Sequence, residues 1–215
     1  MVDSRVRLNL GCGPGPVLAK SYIYIDASRK LLIAKIPMLA KLIRRYSKSE
    51  LFWDKNVKYK NILSLRLPSN SIEYIYSSHL LEHIYFSQSE DLLRSLFKAL
   101  QVGGRIRLAL PDYDAFISNY ILNAKTNPVR AIQELEDSLL SQPLKKPKML
   151  KKLWNLITGD LHVHRWHPTF ALVESMLLEA GFRNIIKCKF RESELAEIHL
   201  LENRENMTFY IEGSK

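Results

Sequence analysis

Leu8-Asn-Leu-Gly-Cys-Gly-Pro-Gly15, followed shortly by Tyr22-Ile-Tyr-Ile-Asp26, is the stretch that decides the fold. An alternating run, Arg5 to Leu10, reads as a strand and stops at a glycine cluster, where a Cβ would keep a ligand from lying against the backbone. The second run reads as another strand and ends in Asp26, whose carboxylate can accept both hydroxyls of a ribose. A glycine turn with an acid at the end of the next strand points to an adenosine-containing cofactor. Position 16 is Pro16, so the third glycine of the dinucleotide fingerprint is missing, which points away from NAD.

Outward from this pair, short β-rich runs alternate with longer helical patterns, the order that makes a parallel sheet covered by helices. Val57 to Leu63, Ser71 to Tyr76, Gly104 to Leu110, Asn184 to Phe190 and Met207 to Ile211 bring the expected strands to seven. Helical stripes run through Glu90 to Leu100 (Leu92, Leu93, Leu96, Phe97, Leu100) and through Pro168 to Ala180 (Phe170, Val173, Met176, Leu177), the second stopped by Gly181. About ten residues between the glycine turn and Asp26 are too few for a strand plus a crossover helix, so the first helix should be absent or a single turn. The expected organisation is one domain over residues 1–215, with a basic helical insert at about 27–55 and a helical insert at about 113–165.

The chain has 215 residues, 47% of them hydrophobic and 25% charged, which excludes disorder and collagen-like repeats. Its two cysteines, Cys12 and Cys188, make neither a disulfide scaffold nor a CxxC zinc pair, so a reducing compartment is expected. No apolar run has the length of a signal peptide or a membrane span, and the expected location is cytoplasmic, with room for peripheral membrane contact. The net charge is +10, yet seven basic residues in Arg29 to Lys48 and five in Lys145 to Lys152, with no acid in either segment, exceed it, so the rest of the chain is near neutral. Such segments form solvated faces or attract RNA or an anionic membrane, and Tyr46, Trp53, Trp154 and Trp166 could add stacking for RNA. Leu31, Leu32, Ile36, Leu39, Leu42 and Ile43 equally fit a lid, a membrane-lying helix or a packed helix.

The strings LNLGCGPG, YIYID, IEYIYSSHLLEHI, LQVGGRIRLALPD and LLEAGF, in that order, resemble the class I S-adenosylmethionine-dependent methyltransferases, in particular the small type 11 group. The resemblance spans about residues 5–112 and 165–212. It implies a doubly wound, Rossmann-like α/β sheet of seven strands, parallel except for the last, with S-adenosylmethionine across the carboxyl ends of the first strands. Carried over by position, it implies that Gly11, Cys12 and Gly13 back the methionine part, Asp26 holds the ribose, Asn61 and Ile62 flank the adenine, and Ser78 and His79 lie beside the sulfonium. Asn9 stands where an acid is common, as does Asn61, and a side-chain carbonyl there still accepts a hydrogen bond.

Methyl transfer needs an acceptor lone pair held near attack distance, and a hydroxyl acceptor also needs a base. The candidates are His79, His83, Asp112 and the cluster His162, His164 and His167. His79-Leu-Leu-Glu82-His83 matches the HxxEH metallopeptidase spelling, which would put two imidazoles on one helical face, but its place after a strand argues against a peptidase. No resident metal is expected; His79, Glu82 and His83, helped by the later histidines, are the residues that would hold one. No NPPY or DPPY string follows the fourth strand, which disfavours methylation of a nucleobase nitrogen. The favoured acceptor is a small, sugar or lipid-linked molecule, methylated on oxygen. An RNA methyltransferase and an inactive fold that binds a nucleoside or a partner are the alternatives.

Overall fold

The computed structural model describes residues 6–36, 53–139 and 163–215. Within them lie strands β1 (Val6–Leu10), β2 (Tyr22–Asp26), β3 (Lys58–Tyr59), β4 (Ile72–Ser78), β5 (Leu100–Pro111), β6 (Arg183–Cys188) and β7 (Thr208–Ser214). They form one sheet in the order β3-β2-β1-β4-β5-β7-β6, with every pairing parallel except those made by β7. The chain reverses strand order between β1 and β4, so the carboxyl ends of these two strands face the crevice where such sheets bind ligands.

Residue alternation decides what each face of the sheet carries. Leu8 and Leu10, Ile25, Ile75, and Ile106 and Leu108 point to one side, where they pack with Leu92, Leu93 and Leu96 of helix α2 (Phe86–Ala99) and Val173, Met176 and Leu177 of helix α5 (Phe170–Ala180). Thr169 caps α5 by accepting from the Leu172 amide, and Gly181 ends it in the left-handed conformation at φ 110°. Tyr22, Tyr24 and Tyr76 point to the other side. There the chain between β1 and β2 contains no helix, as its length requires. The gap is covered by Leu31 of the short helix α1 (Arg29–Ala34) and by Leu195, Ile198 and Leu201 from the β6–β7 connection, which contains the one-turn helix α6 (Ile198–Leu201).

That connection is anchored by a charge inside the protein. Arg107 on β5 is fully buried, and all five of its N–H groups donate. Nε gives to Glu202 Oε1 at 2.5 Å, Nη2 to Glu202 Oε2 at 3.1 Å and the Lys189 carbonyl at 2.8 Å, and Nη1 to Glu212 Oε1 at 2.7 Å and the Glu192 carbonyl at 3.1 Å. Burial alone would lower the guanidinium pKa; the hydrogen bonds and charges of Glu202 and Glu212 outweigh it and raise the pKa.

Several elements differ from expectation. The third strand is only Lys58–Tyr59, because the Asn61 side chain accepts from the Leu63 amide and turns the chain into a 3-10 helix, Ile62–Ser64. β5 begins at Leu100, four residues early, with a register shift against β4 between Ile72 and Tyr74. Among the described residues the insert after β5 is not helical throughout: α3 (Tyr113–Ala124) and α4 (Pro128–Leu139) are helical, whereas Val163 to Thr169, leading into α5, has no regular secondary structure and bends at Arg165 and Trp166. In the first insert Leu31 is buried while Leu32 and Ile36 are exposed, and Leu39, Leu42 and Ile43 lie outside the described residues. The same holds for Tyr46, Trp154, His162, the Lys145 to Lys152 run and most of the Arg29 to Lys48 run. Among the described residues no helix is long and apolar enough to cross a membrane.

Candidate active site

The glycine turn begins where β1 ends. Gly11 and Gly13 take φ 68° and 64°, left-handed values that favour glycine. The Gly11 amide donates to the Ile25 carbonyl at 2.8 Å, pulling the turn onto β2. Asp26 is buried, and both of its oxygens accept backbone amides: Oδ2 from Gly13 at 2.8 Å and Oδ1 from Ser28 at 2.7 Å. The expected ribose acid therefore also ties the glycine turn to the start of α1. Each oxygen keeps a further lone pair for a hydroxyl.

The space beside this turn suits a ligand. A Cβ on Gly13 or Gly15 would meet nothing within 4 Å, whereas one on Gly11 would sit 2.9 Å from Leu80 Cδ1. Below the turn, the side-chain oxygen of buried Asn9 has no hydrogen-bond partner, and neither has the indole nitrogen of Trp53, whose backbone bridges Gly15. One unpaired acceptor and one unpaired donor beside an open glycine turn fit a polar ligand. Cys12 packs at the edge of the tyrosine cluster; burial, then the charge of Asp26, pushes its thiol up to about 12. Ile62 is buried and Asn61 exposed just past β3, and Ser78 ends β4.

His79 follows Ser78 with φ 48°, so the chain leaves β4 through a left-handed residue rather than entering an α-helix. Leu81–His83 then form a 3-10 turn, and the single helical face implied by HxxEH does not exist. His79 Nδ1 lies 3.3 Å from Glu82 Oε1, and its Nε2 lies 3.3 Å from the Thr208 hydroxyl. Glu82 is fully buried, yet neither carboxylate oxygen has a hydrogen-bond partner.

A segment some eighty residues away completes this corner. The Arg165 amide donates to the Glu82 carbonyl at 2.7 Å, Trp166 Nε1 to the Leu81 carbonyl at 2.9 Å, and His83 Nδ1 lies 3.3 Å from the Val163 carbonyl. These links bring His164 Nε2 to 4.0 Å from Glu82 Oε1, while Nδ1 meets the Tyr113 hydroxyl at 2.6 Å. Burial lowers the His164 pKa to about 4 and raises that of Tyr113, so the imidazole is neutral and the phenol protonated near pH 7.

Of the sequence candidates, His79, Glu82, His83 and His164 therefore converge. Asp112 has a helix-capping role: its Oδ1 accepts from the Ala115 amide at 3.1 Å. His167 is an exposed residue stacked edge-on against Tyr113 at 4.5 Å. Tyr113 and Thr208 were not anticipated; Tyr113 follows the Pro-Asp that closes β5, the only signal that could have drawn attention to it. Two clefts of about 250 and 170 Å3 lie elsewhere, on α3 and α4, the larger lined by Asn123, Asn127, Arg130 and Glu134.

A sheet of this order, with a glycine turn at the switch point and an acid ending β2, is the architecture of the class I S-adenosylmethionine-dependent methyltransferases. Residues 8–108, somewhat under half of the chain, match the family described as methyltransferase domain. No curated protein matches it. Among solved structures, a SAM-dependent methyltransferase from Archaeoglobus fulgidus is 15% identical with a TM-score of 0.52, the match covering 99% of this chain and 87% of that one. The complex between the Haloferax volcanii Trm112 methyltransferase activator and a methyltransferase contains another similar chain, 11% identical with a TM-score of 0.50, covering 98% of this chain and 82% of that one. At these identities the likeness concerns the fold.

Proposed function

We propose that this enzyme methylates a hydroxyl of a small, sugar or lipid-linked acceptor. When bound, S-adenosylmethionine supplies an electrophilic methyl group on a sulfonium. Gly11, Cys12 and Gly13 would back its methionine part, the Asn9 oxygen would accept from its amino group, and Asp26 would hold the ribose between the glycine turn and α1. Asn61 and Ile62, just past β3, would flank the adenine, and Ser78 and His79, at the end of β4, would lie beside the sulfonium.

The observation that carries the reading is the pairing of His79 with the buried Glu82 carboxylate, 3.3 Å away, at the carboxyl end of β4. Leu80, the next residue, packs against Gly11, so the pair adjoins the glycine turn. The carboxylate favours a proton on Nδ1, which leaves the Nε2 lone pair facing the Thr208 hydroxyl. An acceptor hydroxyl that replaces Thr208 on that lone pair would donate its proton to His79 as the oxygen attacks.

Calorimetry with S-adenosylhomocysteine, and transfer of labelled methyl to a panel of hydroxyl acceptors, test this together. Asp26→Ala should weaken binding of the product nucleoside by about 1–3 kcal/mol, the worth of charge-assisted hydrogen bonds. His79→Asn should leave that affinity within about twofold and lower turnover by at least ~100-fold. Absence of nucleoside binding to the wild type would refute the assignment, and full turnover in His79→Asn would refute the base.

A further inference from the structure

We propose that Glu82, His83 and His164 form a binding site for one divalent transition-metal cation. Their ligand atoms all lie within 4.8 Å of one another. Two imidazoles and a carboxylate are a donor set that Zn2+, Mn2+ and Fe2+ accept, with the remaining positions left to water or substrate. Bonds of about 2.0–2.2 Å would bring tetrahedral ligands to roughly 3.3 Å apart, so the corner must contract by up to about 1.5 Å.

Two features separate this corner from a chance cluster. Glu82 has 0% accessible surface and no hydrogen bond of good geometry to either oxygen, its one close polar neighbour being His79 Nδ1 at 3.3 Å from Oε1. A buried carboxylate in that state costs several kcal/mol, which a cation would offset. The guanidinium of Arg165, whose amide bonds the Glu82 carbonyl, is engaged elsewhere, with Nε donating to the His83 carbonyl at 3.1 Å and the group lying over the Tyr85 ring at 4.2 Å.

The second feature is the outer partner that each imidazole already has. His83 Nδ1 is within reach of the Val163 carbonyl and His164 Nδ1 of the Tyr113 hydroxyl, which leaves both Nε2 atoms open. Metal-binding histidines are usually held in this way, with the far ring nitrogen donating to a carbonyl or another oxygen. His79 stands outside the group, on Glu82 Oε1, and Glu82 Oε2 is uncommitted. The binding claim stands on these contacts alone; the cation's role, polarising the acceptor hydroxyl beside His79, rests on the methyl-transfer reading above.

The test uses the full chain, stripped with chelator and dialysed, then titrated with Zn2+ by calorimetry and with Co2+ by visible absorption. One equivalent should bind, with a Co2+ spectrum of a low-symmetry, nitrogen-containing site and a rise in melting temperature. Glu82→Gln and His164→Gln should each weaken Zn2+ by more than ~100-fold, whereas Tyr113→Phe, which keeps every ligand, should weaken it about 10- to 100-fold. If Glu82→Gln does not fold, His83→Gln and Tyr113→Phe carry the comparison. Wild-type affinity no higher than that of His83→Gln, or stoichiometric binding that all variants retain, would overturn the site. S-adenosylhomocysteine titrated into the same samples separates the two proposals: nucleoside binding without Zn2+ binding removes only the metal site, and the converse removes only the methyl-transfer reading.

Discussion

Replacing Arg107 by Met tests what holds the β6–β7 connection on the tyrosine face of the sheet. The change keeps an apolar stem and removes five donated hydrogen bonds, three of them to carboxylates that are themselves buried, Glu202 and Glu212. Removing one partner of a buried ion pair costs about 3–5 kcal/mol, mostly through the charge left behind. Here two charges are stranded, but Glu202 still accepts the Arg191 amide at 2.5 Å and Glu212 the Ser193 hydroxyl, which offsets part of the loss. The expected loss is about 3–4 kcal/mol, a large share of the ~5–15 kcal/mol that holds a typical domain together. With a urea slope of about 2 kcal/mol/M, the unfolding midpoint should fall by roughly 1.5–2 M, followed by circular dichroism. Adding Glu202→Gln and Glu212→Gln to the same chain should recover more than half of that loss, because amides need no counter-charge. A loss below about 1 kcal/mol for Arg107→Met, the worth of a surface pair, would refute the reasoning.

Gly11→Ala places a methyl group 2.9 Å from Leu80 at a left-handed φ of 68°, so thermal unfolding should show a stability loss of about 1–3 kcal/mol. Gly13→Ala meets only the φ penalty and should cost about 1–2 kcal/mol in stability, while weakening S-adenosylhomocysteine more than Gly11→Ala does; equal effects on affinity would place the ligand elsewhere. Cys12, with its thiol pushed up to about 12, should react with iodoacetamide at pH 8 at least ~100-fold more slowly than an ordinary cysteine, read by mass spectrometry. Rapid labelling would show that the thiol is neither buried nor under the influence of Asp26.

What the sequence made legible was governed by short-range rules. The alternation in Tyr22-Ile-Tyr-Ile-Asp26 and Gly104-Arg-Ile-Arg-Leu-Ala-Leu110 gave two of the sheet's strands. Ten residues of spacing gave the missing crossover helix. The glycine turn and Asp26 are near neighbours in sequence, and their contact, Gly13 to Asp26, lies where spacing put it. The histidine corner was only half legible, because His164 joins Glu82 through backbone links across some eighty residues, which no local pattern encodes. The helical face that HxxEH would spell does not form for a physical reason: His79 adopts a left-handed conformation and Leu81–His83 make only a 3-10 turn. Asp112 read as a base because carboxylates after β5 invite it, but a carboxylate preceding a helix is first of all a cap.

The cover over Tyr22 and Tyr24 has a consequence for the order in which the protein is made. Tyr22 donates to the carbonyl of Ala196, a partner 174 residues further along the chain, and Ser21 binds Glu197. During translation β1, β2 and their glycine bend therefore emerge from the ribosome with one flank bare, and stay so until the stretch around residues 195–201 arrives. Contacts of such sequence separation form late. The glycine bend and Asp26 therefore reach their final setting only after residue 196 has been made, and a nascent chain halted before that residue should bind S-adenosylhomocysteine more weakly than one carried past it.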